Sequence, residues 1–316
     1  MEKIAIIDIG TNNFLLLIVE KNIDNQKFDA SSGFKILHKS KVFAFIGRGG
    51  IQQQIIAPDA FERTIGYLME FKKIIDSFEC NVVRAIATSA IRNAKNGEEL
   101  VGEVRRLTGI QIEVIDGNRE ADLIYKGVKS YLRIEETSLI MDIGGGSVEF
   151  IIGRGEQIFW KQSFEIGAQR LLYDFHQKDP IPNEQIEALG VYLERTLQPL
   201  FQAVKIFPLK TLIGSAGSFD TIVDIYCMQE QIPNTLKETK EFELPLAAYF
   251  SIHQELVGKN NEERIQIDGM LGDRAEMIVV ASCLIYFVST RLGIEKMRVS
   301  AASLKEGVLW EWLHNI

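Results

Sequence analysis

An α/β fold of two duplicated domains is predicted by three observations. The segment Ile7-Asp8-Ile9-Gly10-Thr11-Asn12-Asn13 returns, altered, as Met141-Asp142-Ile143-Gly144-Gly145-Gly146-Ser147. Each copy joins two apolar β-branched runs, KIAIIDIG to FLLLIVE and TSLIMDIG to VEFIIG, and a third strand signal follows each pair. Each meander then gives way to alternating helix and strand patterns, which is the composition of an α/β layer. At 316 residues the chain exceeds a typical single domain, so two domains are the reasonable division.

In the first half, strand signals cover 3–9, 14–20 and 34–45. Pro58 opens a helix whose apolar residues Phe61, Ile65, Leu68 and Phe71 recur at helical spacing. A buried strand at 82–87 precedes a helix over 89–107 that Gly109 stops. A short strand at 112–115 follows, and Gly117 or Asn118 starts the helix carrying Arg119 to Tyr131. The second half repeats the plan with strands at 138–143, 148–153 and 157–164. Helices near 167–175 and 183–204 come next, the latter behind the turn Asp179-Pro180-Ile181-Pro182. A strand at 209–213 ends in Gly214-Ser215-Ala216-Gly217-Ser218, and the polar stretch 231–243 reads as a surface loop. Helices near 246–257 and 273–292, a strand at 296–300 and a helix at 304–313 complete the chain. No low-complexity linker separates the halves, so the boundary runs through a helix near 115–135. The N-terminal domain is drawn as 1–121 plus 301–316 and the second as 122–300.

Composition narrows the function classes. With 46% hydrophobic and 25% charged residues the chain reads as a soluble globular protein. No apolar run approaches the roughly 18–20 residues that span a bilayer, and the opening residues read as a strand instead of a signal segment. A cytoplasmic location with no membrane partner is therefore expected. Cys80, Cys227 and Cys283 are too scattered for a disulfide framework or a metal site, and His38, His176, His253 and His314 show no ligand spacing. The net charge of −8 disfavours nonspecific nucleic-acid binding. A polyanionic phosphate substrate stays open, because amides, arginines and a cation can reverse the field locally.

The turns carry the chemistry. Gly144-Gly145-Gly146 has an entropic cost of about 0.5–1 kcal/mol per glycine relative to alanine, which is expected where backbone approaches a ligand closely. The Gly214–Ser218 turn stands between a strand and a helix, the context of an anion at a helix N-terminus. Taken singly, the Asp8–Asn13 turn is equally an ordinary hairpin. Three such turns at strand ends together point to phosphate, with a strand-end carboxylate able to hold a hydrated metal ion. Arg92, closing Thr88-Ser89-Ala90-Ile91-Arg92, is placed for a forked contact with phosphate, and Thr88 and Ser89 add hydroxyl donors.

By these turns the chain resembles the actin-like ATPase superfamily, in which two ribonuclease H-like domains flank a nucleotide or phosphate cleft. More narrowly, from Ile4 to about Trp310, it resembles the exopolyphosphatase/guanosine pentaphosphate phosphohydrolase family in its short two-domain form. The carrying segments are IAIIDIGTNNFLLLIVE, AIATSAIRNAKN, IEVIDGNREADLIYKGV, MDIGGGSVEF, IGSAGSFDT and VSAASLKEGVL. Sugar kinases and actin-like chaperones share the first and fourth of these but not ATSAIR or DGNREA. The resemblance implies water attack on a terminal phosphoryl group of polyphosphate or guanosine pentaphosphate, with Glu120 as the catalytic glutamate and Arg92 beside it. It implies Asp142, Asp8 and Glu149 as metal-facing carboxylates for Mg2+, with Mn2+ as a substitute, and Glu149 sharing the orientation of water. Thr11, Asn12, Thr88, Ser89, Gly145, Gly146 and Ser147 would bind phosphoryl oxygens, with Gly214, Ser215, Gly217 and Ser218 bordering the same cleft. A homodimer is also implied.

Several positions depart from the family pattern. Leu15 stands where many relatives carry a basic or polar side chain, Arg119 replaces an acidic neighbour of the catalytic glutamate, and Val148 replaces a threonine. Asp273-Arg274-Ala275-Glu276 keeps an acidic–basic pattern with Glu276 for aspartate, and Arg274 is a candidate substrate contact. Two alternatives compete with hydrolysis: a phosphotransferase of the acetate- or sugar-kinase type, and a noncatalytic nucleotide sensor. Glu120 in its GNREA setting and an intact Asp142 favour hydrolysis.

Overall fold

A buried, isoleucine-rich strand begins each of the two units into which the chain divides. The structure, a computed structural model, describes residues 2–21 and 33–315. The first unit runs to Ser130 and takes back the segment from Leu304 onward; the second is Tyr131–Ser303. The division expected after residue 121 falls inside a helix that stays whole in the first unit as far as Ser130.

The first unit comprises β1 (Lys3–Ile9), β2 (Asn13–Lys21), β3 (Phe34–Phe43), α1 (Pro58–Ser77), β4 (Val82–Ala87), α2 (Ser89–Arg92), α3 (Gly97–Thr108), β5 (Ile112–Val114) and α4 (Gly117–Tyr131). Its sheet has the order β3-β2-β1-β4-β5, with β1 antiparallel to β2 and parallel to β4. Ala5, Ile7 and Ile9 pack with Phe14, Leu16 and Ile18 of β2 and with Leu68, Phe71, Leu100 and Val104 of α1 and α3. Ile4 and Ile6 on the opposite face are also fully buried, as expected of a strand covered on both sides.

The second unit comprises β6 (Ser138–Ile143), β7 (Val148–Arg154), β8 (Gln157–Phe164), α5 (Ala168–Phe175), α6 (Asn183–Thr196), α7 (Gln198–Ile206), β9 (Thr211–Ser215), α8 (Gly217–Gln229), α9 (Leu236–Thr239), β10 (Glu241–Leu244), α10 (Leu246–Gly258), α11 (Asn261–Ile265), α12 (Ile278–Leu292) and β11 (Lys296–Ser300). The order β10-β11-β9-β6-β7-β8 repeats that of the first sheet, read from the other edge, with β10 added. The last helix, α13 (Leu304–Leu313), belongs to the first unit and packs on β1.

Four expected elements differ from those observed. The helix read over 89–107 is two helices, because Asn96 exchanges two hydrogen bonds with the backbone of Ile56 (2.8 and 2.9 Å) and is drawn out of line. Gly97 then starts α3 so close to α2 that a Cβ would lie 2.3 Å from the Ile91 carbonyl oxygen. The helix read over 183–204 breaks at Leu197, where Pro199 lacks an amide to continue it. The helix read from Asp273 begins only at Ile278, after a tight 3-10 turn at Gly272–Arg274. The polar stretch 231–243, read as a loop, holds α9 and the start of edge strand β10. There Glu241 and Glu243 pair with Arg298 and Lys296 of β11 on one face, while Phe242 packs on Tyr226 and Leu244 is buried on the other.

One buried histidine makes the second unit acid-sensitive. His253, 3% exposed, stacks on Tyr286 at 4.4 Å and its Nδ1 lies 2.9 Å from Ser282 Oγ. Burial pulls its pKa down from 6.5 to about 4. The folded state thus holds the neutral ring, and this contribution is full above pH 6.5 and lost as pH falls from there toward 4. By linkage the loss reaches roughly 3 kcal/mol. His253→Gln is expected to flatten the decline of Tm between pH 7 and 4.5; parallel declines for variant and wild type would reject this.

Candidate active site

The two repeated turns share their backbone geometry in detail. Gly10 N donates to Asn13 O at 3.0 Å, and Gly144 N donates to Ser147 O at 3.0 Å. A Cβ on either glycine would approach that same oxygen to 3.0 Å. The carbonyls behind each turn are tied down by the segment that follows the third strand. In the first unit Phe45 N and Gly47 N donate to Asn12 O and Thr11 O. In the second, Gly167 N, Ala168 N and Gln169 N donate to the carbonyls of Gly146, Gly144 and Gly145 at 2.9–3.1 Å, and Arg170 Nε adds a 2.9 Å bond to Gly146 O. The start of α5 is therefore spent on holding the glycine turn by its carbonyls. Gly47 and Gly167 are required behind the turns: a Cβ would sit 2.7 Å from Thr11 Cγ2 and 2.4 Å from Gly145, respectively. Neither they nor Arg170 was singled out from the sequence, although the dipeptides Ile46-Gly47 and Ile166-Gly167 repeat there as a usable signal.

The carboxylates are arranged differently in the two units. Asp142 stands directly across from Glu149 between β6 and β7, and both are buried, at 6% and 1% exposure. Ser215 Oγ and Ser303 Oγ lie 2.7 and 2.6 Å from Asp142 Oδ2, while Ser163 Oγ donates to Glu149 Oε1 at 2.6 Å. Two carboxylates facing each other across a strand pair favour a cation beside them. In the first unit the matching partner of Asp8 is Leu15, so Asp8 has no such facing carboxylate. Among the described residues no group of three or more acidic, histidine or cysteine side chains forms a metal cage. One or two carboxylates with water and substrate oxygens suffice for magnesium, and Asp142 with Glu149 fits that mode.

At the third turn each residue has an identifiable task. Ser215 is fully buried, and its hydroxyl meets Asp142 and Ala302 O, not an open surface. A Cβ on Gly214 would strike the Phe219 ring at 2.1 Å, so this glycine serves helix–strand packing. Ala216 adopts φ +67° before the first residues of α8, Gly217 and the buried Ser218. The Arg274 guanidinium packs on Gly217, where a Cβ would come within 1.8 Å of it. Burial draws the Arg274 pKa below its ordinary value against the pull of Asp220, Asp224 and Asp273. Its segment is anchored by the fully buried Arg264, whose Nε donates to Ala275 O at 2.7 Å and whose Nη1 donates to Asp179 Oδ1 at 2.9 Å.

In the first unit, Arg92 and Glu120 come together. Arg92 closes the single-turn helix α2, and its Nη1 donates to Glu120 Oε2 at 2.8 Å and to Ile115 O at 3.0 Å. Thr88 and Ser89, both buried, open that turn; Thr88 N donates to Ile9 O, and Ser89 Oγ accepts from Asn93. Helix α4 starts at Gly117, one of the two starts read from the sequence, and Asp116 caps it, with Oδ1 accepting from Arg119 N at 2.7 Å. Arg119 is tied to the last helix: Nη1 and Nη2 donate to Glu311 of α13 at 2.7 and 2.6 Å, and Lys126 Nζ joins at 2.6 Å. Burial raises the Glu311 pKa, but Arg119 and Lys126 outweigh it and hold the group below its ordinary value. At Gly307, α13 lies so close to α4 that a Cβ would be 1.9 Å from Leu123 O. The terminal helix thus sets the position of the helix that presents Glu120. Glu311→Gln removes the carboxylate that Arg119 and Lys126 share, leaving Arg119 the weaker pull of Glu113 and Asp122; a stability loss of about 2 kcal/mol in urea titration and a fall in kcat at unchanged KM are expected. Unchanged kcat would separate this clamp from catalysis.

Comparison with known proteins gives the family and the fold. The model of the Ppx/GppA phosphatase family matches residues 23–316. An exopolyphosphatase from Cytophaga hutchinsonii is 37% identical with a TM-score of 0.94, over 100% of this chain and 99% of that one. An Aquifex aeolicus member of the Ppx/GppA family is 26% identical with a TM-score of 0.80, over 99% and 98% of the two chains. Among the described residues no helix is long and apolar enough to cross a membrane.

Proposed function

This chain belongs to the Ppx/GppA phosphatase family, and from that premise we propose how it works as a phosphohydrolase on polyphosphate or guanosine pentaphosphate-type substrates. The reaction is hydrolysis of a terminal phosphoanhydride. A water oxygen bonds to the terminal phosphorus, the bridging oxygen leaves with the shortened chain, and orthophosphate is released. The observation that carries the assignment is the buried Arg92–Glu120 pair at the start of α4. Glu120 accepts the proton of the attacking water, and Arg92 both orients that carboxylate and draws phosphoryl charge toward it. In the first unit the Thr11–Asn12 turn binds phosphoryl oxygens, aided by the Thr88 and Ser89 hydroxyls.

In the second unit the Gly145-Gly146-Ser147 amides take the same role, and Gly217, Ser218 and Arg274 offer a further anion contact. Asp142 with Glu149 would hold Mg2+, or Mn2+ in its place, with Asp8 as the lone counterpart carboxylate in the first unit. Such an ion, when bound, neutralises charge on the phosphoryl oxygens. Ser215 and Ser303 keep Asp142 oriented, and Ser163 does the same for Glu149. The test is phosphate release from tripolyphosphate, long-chain polyphosphate and guanosine pentaphosphate, with and without magnesium. Release from at least one of them, dependent on the cation, is expected; phosphorylation of a small metabolite from ATP without such release would instead establish a kinase.

A further inference from the structure

After β3, the first unit carries an extension that its duplicate lacks. Val42 lies across from Phe14, and Phe164 lies across from Val148. Yet Phe43, Ala44 and Phe45 separate Val42 from Ile46, whereas Glu165 alone separates Phe164 from Ile166. The extension brings two aromatic rings, and both are engaged. Phe43 and Phe45 stack with centroids 5.8 Å apart and planes 23° from parallel. Lys41 Nζ lies 4.5 Å from the Phe43 centroid, and Arg48 Cζ lies 4.5 Å from that of Phe45. The result is a continuous ladder of cation, ring, ring and cation, with both cationic residues exposed.

The ladder is fastened to the first phosphate turn. Phe45 N donates to Asn12 O at 3.0 Å, and Gly47 N donates to Thr11 O at 3.3 Å. Lys41 is the cross-strand partner of Leu15, which is the partner of Asp8, so all three belong to one face of the sheet. Phe45 sits at φ +46°, a region that bulky side chains avoid. It is pinned there from a second side by Arg63, whose Nε donates to Ala44 O at 2.9 Å and Nη2 to Phe45 O at 3.5 Å. A strained residue held by its surroundings beside a binding turn points to use, since packing alone would relax it.

We propose that Lys41 and Arg48, set by the Phe43–Phe45 stack, form a second phosphate-binding subsite for the distal phosphates of an inorganic polyphosphate chain engaged at the Thr11–Asn12 turn. The rings are occupied with each other and with one cation apiece, so the ladder presents fixed positive charge and not an open face for a base. A polymer with an anion on every unit matches that surface better than a guanosine. This subsite also supplies charge on the face where Leu15 contributes none. The inference rests on the phosphohydrolase reading above, and its test separates the two.

The double variant Lys41→Gln/Arg48→Gln is compared with wild type, with Lys41→Arg/Arg48→Lys, and with the distant charge-matched control Lys178→Gln/Lys205→Gln. For the glutamine variant, KM for long-chain polyphosphate is expected to rise about tenfold and KM for tripolyphosphate by less than about threefold, as expected for lost contacts beyond the reacting end. The salt dependence of KM for the long chain should become shallower. The arginine–lysine exchange and the distant control should stay near wild type. Equal changes for long and short chains, or a change for guanosine pentaphosphate alone, would overturn the subsite. Where wild type hydrolyses none of these, the functional reading falls; retention of long-chain polyphosphate on the protein then decides. Loss of retention in the glutamine variant alone upholds the subsite, and equal retention rejects it.

Discussion

Replacing Glu120 by glutamine is expected to lower kcat for phosphate release by roughly 10²–10⁴-fold, the usual contribution of a positioned general base. KM should stay level or fall. Glutamine keeps the shape of the side chain and an oxygen that can accept from Arg92 Nη1, so the 2.8 Å contact need not be lost. It removes the negative charge that holds the guanidinium, leaving Arg92 more attractive to phosphoryl oxygens. Tight binding with lost turnover is the pattern of an interaction used in the transition state. A structural role predicts something else. The side chains of Arg92 and Glu120 are 16% and 8% exposed, and breaking a buried pair outright costs about 3–5 kcal/mol. Urea titration therefore accompanies the kinetics. A variant that keeps its midpoint but loses turnover supports Glu120 as the base, and turnover within threefold of wild type ends that assignment.

Local repetition made the fold legible. Asp-Ile-Gly recurs with the same apolar flanks, and each copy does lie between two antiparallel strands that start a sheet of the same order. Strand β1 could be read because both of its faces are apolar, whereas in β10 the alternation of Glu241 and Glu243 with Phe242 and Leu244 covers only four residues of a polar stretch. The helix breaks were half visible: Pro199 marks one, but Asn96 leaves its helix for a backbone 40 residues away. The setting of α4, which carries Glu120, was the least legible. Arg119 and Glu311 are 192 residues apart, and neither sits in a pattern that names the other. A charged residue beside a proposed general base invites a reading toward substrate, when here Arg119 ties its helix to α13. The glycine turns were likewise read only from their ligand side. Their carbonyl side is held by Gly47 and Gly167, whose repetition depends on strand register that sequence spacing alone does not reveal.

Asp142→Asn is expected to make the cation-free protein more stable while disabling it. In wild type the Asp142 and Glu149 carboxylates face each other across β6 and β7 with little exposure, so folding brings two like charges together. Asparagine keeps an oxygen for the Ser215 and Ser303 hydroxyls and turns an amide toward Glu149, so repulsion becomes attraction without loss of the 2.6 and 2.7 Å contacts. Relief of about 1 kcal/mol corresponds to a Tm higher by roughly 2–4 °C for a domain of this size. Magnesium should reverse the ranking of the two proteins. An ion that binds only the folded wild type raises its stability by about 2.7 kcal/mol at a hundredfold excess over Kd, and the variant should forgo most of that gain. Activity should drop by about 10² or more, because charge on the phosphoryl oxygens goes unbalanced. Calorimetry of both proteins with and without magnesium reads the whole pattern. A variant less stable than wild type without magnesium, yet equally stabilised by it, would make Asp142 a hydroxyl-bonded strut and move the cation elsewhere. The expected reversal would instead tie the instability of this strand pair to its use, with the charges that weaken the fold being those that gather the metal.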